Sequence, residues 1–280
     1  STPPTTPRPV TTKDGVKLLR VPHLSELCTN THMNDELGDI FSTFEWKSST
    51  KLQRTLTQSQ MKLLMGFLKS ITQLCCDHNI QWMIFYGSLL RAFISHDVLP
   101  WDDDLDIIIE SSGLDKILAL HKDGTLASKY NVSYVLTGGL NKLYWSEGAK
   151  IKPYGWAWPF ADVMIYKTSN STITNIDRSK KHRFEAPLDL VFPLHMRPFG
   201  GVWVPAPRDP WAMIAWTYKS AVKEFKCSAP RYDHVKERNR KGVKSATCED
   251  LHGDYRFVYR EPSEGGGVDE TLKIGKKSLY

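Results

Sequence analysis

Apolar residues along this chain come in short runs whose period changes several times. In SQMKLLMGFLKSITQLCCDHN (residues 59–79), Leu64, Phe67, Leu68, Ile71, Leu74 and Cys75 recur at helical spacing and predict an amphipathic helix, with Cys75 in its buried stripe. IQWMIFYG (Ile80 to Gly87) is mostly apolar and ends on glycine, and reads as a buried strand. SLLRAFI then predicts a short helix that begins at Gly87-Ser88. DLDIIIE (Asp104 to Glu110) is a second strand. Its period of two puts Asp104, Asp106 and Ile108 on one face and Leu105, Ile107 and Ile109 on the other.

SGLDKILALHKD (Ser112 to Asp123) is helical in pattern, and NVSYVLT and LNKLYW are strands around a Gly138-Gly139 turn. WPFADVMIYK (Trp158 to Lys167) is another strand, with Phe160, Asp162, Met164 and Tyr166 on one face. RDPWAMIAWTYKS opens a helix with Asp209 as N-cap and Pro210 in the first turn. Residues 21–55 show no clear period, and no element is legible from Cys227 onward. Strands and helices alternate without a GxGxxG or P-loop motif, so the class is α/β (or α+β) and a dinucleotide fold has no support. We expect one domain over residues 21–280, its core at about 56–225 and a tail over 226–280.

The start, STPPTTPRPVTT, is rich in Pro and Thr and cannot bury a core; residues 1–20 are expected to form an extended stalk. A membrane anchor upstream of the stalk is expected. The net charge of +6 suits anionic partners, although the basic run from Arg231 to Lys244 reads as a solvated face. Five cysteines include no CxxC pair, which argues against a zinc ribbon; the odd count, with Cys227 and Cys248 in a polar tail, suits one or two disulfides, with no pairing fixed. Sequons at Asn131 and Asn170 point with them to a secretory lumen, the Golgi being the expected compartment.

The chemistry concentrates in LPWDDDLDIII, where Asp102, Asp103, Asp104 and Asp106 crowd against an apolar strand. Adjacent carboxylates repel and raise each other's pKa, so a counter-charge is required. Asp104 and Asp106 project to one side and can grip a divalent cation, Mg²⁺ or Mn²⁺ where substrate phosphates complete the shell. Gly87 and Ser88, opening a helix after a buried strand, can hold a phosphate. Asp162 is a third acid on an otherwise apolar strand. An acidic turn or a loose Ca²⁺ site would explain DDDLD alone, but strand, Gly-Ser, helix, Asp-x-Asp strand and later Asp strand together form a nucleotidyltransferase-like layout: a mixed β-sheet flanked by helices.

YGSLLRAFISHDVLPWDDDLDIII (Tyr86 to Ile109) resembles the signature of the LicD family, the choline-phosphotransferase-like group that includes fukutin-related protein. The resemblance resumes at WPFADVMIY and at DLVFPLHMRPFGGVWVPAPRDPWAMIAWTYKS (Asp189 to Ser220). It implies a transferase that takes a phospho-substituent from a CDP-linked donor, releases CMP and places the substituent on a glycan hydroxyl, with no nucleic-acid partner. By position it implies Asp104, Asp106 and Asp162 as metal ligands and catalytic acids, Gly87 and Ser88 as the donor-phosphate cradle, and Asp102 as support. Bacterial members carry Gly where Arg91 stands and Arg-His where Ile94-Ser95 stands; Arg91 is the expected donor-binding cation. Tyr144, Trp145, Tyr154, Trp156 and Trp158 cluster between the acids. They pack a core, or Tyr144, Trp145, Trp156 and Trp158 cage a quaternary ammonium. Phosphocholine is the first expectation for the transferred group and a phosphopolyol such as ribitol the second. An NTP-dependent nucleotidyltransferase and a non-catalytic glycan-binding protein are the alternatives.

Overall fold

The computed structural model describes residues 12–13, 16–177, 184–218, 226–228, 232–242, 244–263 and 266–280. Residues 1–11 and 14–15 of the expected stalk lie outside them, as do 219–225 at the end of the expected core. The fold is a mixed α/β arrangement built on a seven-stranded sheet.

Helix α1 spans Asp35–Ser42 in the stretch where the pattern gave no period. Helix α2, Gln58–Asp77, takes the 59–79 stretch. Thr57 accepts from the Gln60 amide while Gln60 accepts from the Thr57 amide, a capping box that fixes where the helix starts. Its buried face carries the expected residues, Cys75 among them. Strand β1 is short, Trp82–Ile84, because helix α3 begins at Tyr86 (Tyr86–Ser95), before the expected Gly87-Ser88. Strand β2 is Leu105–Glu110, followed by α4 (Ser111–Lys122) and α5 (Thr125–Tyr130).

Strands β3 (Val132–Thr137) and β4 (Leu140–Lys150) form the expected hairpin, and β5 is Ala157–Thr168. The sheet runs β1-β2-β5-β4-β3, and β6 (Thr172–Asn175) and β7 (Glu185–Pro187) extend it from β5. β2 and β5 are parallel, with Asp106 opposite Asp162; the other pairs are antiparallel. Both faces of β2 and β5 are covered, so the strands are apolar on both sides, as a buried parallel pair requires. The acids stand out against that background.

A hairpin of β8 (His195–Phe199) and β9 (Val202–Ala206) precedes α6, Pro210–Tyr218, where Asp209 Oδ1 accepts from the Ala212 amide at 2.9 Å as the expected cap. Beyond Cys227, where the pattern shows no element, α7 (Cys248–Leu251) leads into a three-stranded sheet of β10 (Arg256–Pro262), β11 (Val268–Ile274) and β12 (Lys277–Ser278). β10 packs against α3. The alternation there is masked by charged residues that pair inside the fold. Glu270 binds Arg197 at 2.7 Å and Arg260 at 2.8 Å, and Asp97 pairs with Arg256. Disulfides join Cys28 to Cys76 and Cys227 to Cys248, and Cys75 stays a buried thiol with its pKa pushed up by burial. Two disulfides fit an oxidising compartment. Among the described residues no helix is long and apolar enough to cross a membrane.

Candidate active site

The acid cluster forms where α3 meets β2 and β5. No side chain caps the N-terminus of α3, which is instead pinned to the strand. Phe85 donates its amide to the Asp106 carbonyl at 3.0 Å, and the Asp106 amide donates to Ser88 Oγ at 2.8 Å. Ser88 is therefore fully buried and holds the strand beside the helix. Gly87 lies between the acids and Arg91. A Cβ there would stand 2.6 Å from Arg91 Nη2 and 2.7 Å from Asp106 Oδ2, so only glycine fits.

Carboxylate oxygens of Asp104, Asp106 and Asp162 all lie within 4.8 Å of one another, on residues that are buried or nearly so. Three elements bring them together. Asp104 ends the loop before β2, Asp106 is on β2, and Asp162 is beside it on β5 through the parallel register. Asp102 and Asp103 flank the cluster.

Cations brace it. Arg91, 4% exposed, puts Nη2 2.6 Å from Asp104 Oδ1 and Nε 2.5 Å from Asp102 Oδ2; Asp106 Oδ2 is 3.6 Å away. Arg91 Nη1 also donates to the Asp104 carbonyl at 2.5 Å. The guanidinium thus braces the acids from below, and its expected role on the donor is not visible in this arrangement. Lys142 on β4 places Nζ 2.6 Å from Asp162 Oδ1. His234 Nε2 is 3.4 Å from Asp104 Oδ2, and Arg240 Nη2 donates to Asp103 Oδ2 at 2.8 Å.

The electrostatics follow from burial plus like charge. Burial, then the Asp104 charge, raises the Asp106 pKa well above the carboxylate range. Burial pushes Asp104 the same way, but Arg91 and His234 outweigh it and hold Asp104 at about 2. Asp162 is raised by burial despite Lys142, and Asp103 is pushed up to about 7 mainly by burial. Burial lowers His234, yet the neighbouring Asp104 and Glu237 carboxylates carry it up to about 9. An acid whose pKa is pushed up beside two other carboxylates marks a cluster short of positive charge. An all-oxygen donor set of this geometry fits a hard divalent cation such as Mg²⁺ or Mn²⁺.

Lys142, His234 and Arg240 were not among the expected site residues. Lys142 in LNKLYW reads as a surface lysine until β4 is placed against β5. His234 and Arg240 sit in the basic run read as a solvated face, and only the tertiary fold brings them to the acids.

The aromatic residues do not form one cage, because Trp145 turns to the opposite face of β4 from Tyr144. Trp145 packs edge-on against Phe67 of α2 with ring centroids 5.9 Å apart, on the core side of the sheet. Trp158 is buried and donates Nε1–H to the Asp103 carbonyl at 2.7 Å, which fixes the loop carrying the acids. Tyr144 pairs with Phe160 across β4 and β5. Trp156 is buried, with the Tyr154 ring tilted against it at 4.7 Å. Lys142 Nζ sits 3.8 Å from the Phe160 centroid and 5.4 Å from that of Trp156. Of the sequons, Asn170 is exposed in the β5–β6 turn, while Asn131 is half-buried with its amide 3.4 Å from Glu147 Oε2.

A mixed sheet with an Asp-x-Asp strand, a parallel neighbour carrying a third acid and a glycine at an uncapped helix start defines a nucleotidyltransferase-type site. Residues 79–209 match the family model described as LicD/FKTN/FKRP, nucleotidyltransferase domain, and this part of the chain belongs to the LicD family. The family resemblance carried by Tyr86 to Ile109 is borne out. The family is one of transferases with a phosphotransferase-like role. No curated protein matches the chain.

Proposed function

We propose that this chain transfers a substituted phosphate from a CDP-linked donor to a glycan hydroxyl and releases CMP, in the lumen of the secretory pathway, most simply the Golgi. The reading rests above all on Asp106 and Asp162 standing side by side across the parallel pair, with Asp104 within 4.8 Å. Asp104, Asp106 and Asp162 would hold Mg²⁺ or Mn²⁺, which neutralises the donor pyrophosphate and the leaving CMP oxygen. Gly87 and the following amides of α3 face that side with no capping side chain, and they bind donor phosphate. Lys142 and His234 add positive charge at the rim. Arg91, itself held by Asp102, keeps Asp104 ionised and oriented. Asp162 accepts the proton of the attacking hydroxyl, and catalysis is otherwise positioning and charge stabilisation.

For the transferred group, phosphocholine requires an open aromatic cage. The Lys142 ammonium already lies against Phe160 and near Trp156, and Trp145 faces the core. That favours the second reading, a phosphopolyol such as ribitol phosphate. Thermal melts with CDP-choline, CDP-ribitol, CTP and CMP, with and without Mg²⁺, separate the readings, because a ligand that binds only the native state raises the midpoint. Release of CMP from a CDP-linked donor supports the proposal. Release of pyrophosphate from CTP points to the nucleotidyltransferase alternative. Asp162→Asn, Asp104→Asn and Asp106→Asn should fold and turn over at least ~100-fold slower. Full turnover in EDTA, or by well-folded Asp162→Asn, overturns the metal-and-base assignment.

A further inference from the structure

A second cavity, of about 360 Å³, lies between α1, α2, the β8–β9 turn and β10, and shares no residue with the acid cluster. Its size is within the range of small-molecule sites. The apolar wall is Phe41, Phe44, Trp46, Met61 and Met65. Ser42 and Gln58 add neutral polar groups.

The charge on its lining is unbalanced. Arg256 is paired with Asp97 and lies over Phe44 at 4.4 Å, so its charge is matched inside the fold. Lys62 and Lys69 are exposed on the cavity side of α2 and have no ion-pair partner among the described residues. Between them, on the same face, is Gly66. Glycine inside a long helix is destabilising and ordinarily has a packing reason. Here a Cβ at position 66 would meet nothing within 4 Å, so no packing in the described fold requires glycine. The space over Gly66, between the two lysines, is part of the open cavity.

We infer that this cavity binds a sugar carrying an anionic substituent, with the ring against the aromatic and Met65 wall and the carboxylate or phosphate between Lys62 and Lys69. An aromatic wall takes the apolar face of a sugar ring, Ser42 and Gln58 take hydroxyls, and the two lysines attract an anion. The inference rests on the reading of the acceptor as a glycan. Asp97 lines the cavity and belongs to the same α3–β2 connection that carries Asp102 to Asp104.

The test is binding by ¹⁵N–¹H NMR of the intact chain, without donor or metal, using glucuronate, glucose 6-phosphate, neutral glucose and inorganic phosphate as probes. Either anionic sugar should shift the Gly66 and Gly200 amides, with Lys62→Glu and Lys69→Glu each weakening binding about tenfold. Gly66→Leu should abolish the shifts, while Gly66→Ala should melt at or above the wild-type midpoint and verifies that the helix tolerates substitution. No shift at about 10 mM anionic sugar, equal binding of neutral glucose, equal binding of phosphate alone, or shifts that survive Gly66→Leu would overturn the inference. Asp162→Asn protein should bind these probes normally, so failure at the acid site and failure of this cavity read out separately.

Discussion

Lys142 Nζ lies 2.6 Å from Asp162 Oδ1, on the strand position directly opposite it. The side chain is 8% exposed and its ammonium rests against the Phe160 ring. In the absence of metal this lysine supplies positive charge to the end of the cluster where Asp162 and Asp106 meet. Lys142→Met keeps the apolar stem and removes the charge. The variant should lose about 1–3 kcal/mol without metal, as when a partly buried pair loses one member. It should also gain more from Mg²⁺ than the wild type does, because the ion restores what the lysine supplied. Urea titrations with and without Mg²⁺ measure both effects; equal metal gains in the two proteins would separate Lys142 from the metal's role.

The acid triad was legible because its signal is local. A period of two places Asp104 with Asp106, and an acid in an apolar strand singles out Asp162. The residues that neutralise the triad were not legible, because their charge looks ordinary until strands pair. Lys142 in LNKLYW is indistinguishable from a surface lysine before β4 is placed against β5. His234 and Arg240 come from a basic run with no period at all. The aromatic cluster carried a usable warning: Tyr144 and Trp145 are neighbours on one strand and project to opposite faces, so one cage cannot contain both. Arg91 lies on α3 where its register already points at Asp104, yet helical spacing alone does not tell a brace from a donor-binding group.

Acid lability should be traceable to His96. Its Nε2 is 2.9 Å from Glu270 and its Nδ1 is 3.0 Å from the Tyr280 hydroxyl. A neutral ring satisfies both, with Nε2–H donating to the carboxylate and Nδ1 accepting, a tautomer assigned from the partners. Burial lowers the His96 pKa from 6.5 to about 4, against the Glu270 hydrogen bond. Between those values the unfolded chain binds the proton and the native state does not. The stability from the neutral ring is therefore complete above 6.5 and is lost as pH falls towards 4, by about 2 kcal/mol between pH 7 and pH 5. Asp103 and Asp177, raised to about 7 and about 6 by burial, titrate in the opposite sense over this range. The comparison must therefore be with His96→Gln. The pH 7 to pH 5 loss should be smaller in the variant by that amount; identical pH profiles would remove His96 as the cause.

N-glycan occupancy should differ between the two sequons. Asn170 is exposed in a turn, whereas Asn131 is half-buried, has a φ of 55° and approaches Glu147. Protein from a eukaryotic secretory host should carry glycan chiefly at Asn170, as read by mass spectrometry of peptides before and after glycosidase. Four cysteines should be blocked and Cys75 free only after denaturation. An unmodified Asn170 together with five titratable thiols would contradict a lumenal location.

Gly87→Ala tests the site geometry with the smallest change available. The added methyl would meet Arg91 Nη2 at 2.6 Å and Asp106 Oδ2 at 2.7 Å, both closer than van der Waals contact allows. Neither atom can retreat freely. Arg91 is held by Asp102 and Asp104, and Asp106 sits on a strand paired on both sides. The methyl therefore displaces the carboxylate from Asp104 and Asp162, or the guanidinium from Asp104. Global stability should change little, because alanine in the first turn of α3 regains up to about 1 kcal/mol of helix propensity against the local clash. Turnover should fall at least ~100-fold, and the rise in melting temperature on adding Mg²⁺ should shrink with it. Those two readouts together distinguish a misplaced ligand set from a misfolded chain, which would lose its far-ultraviolet circular dichroism as well. Wild-type turnover with an unchanged Mg²⁺ response would show that Arg91 and Asp106 can part without consequence, and that the cluster does not work as one unit.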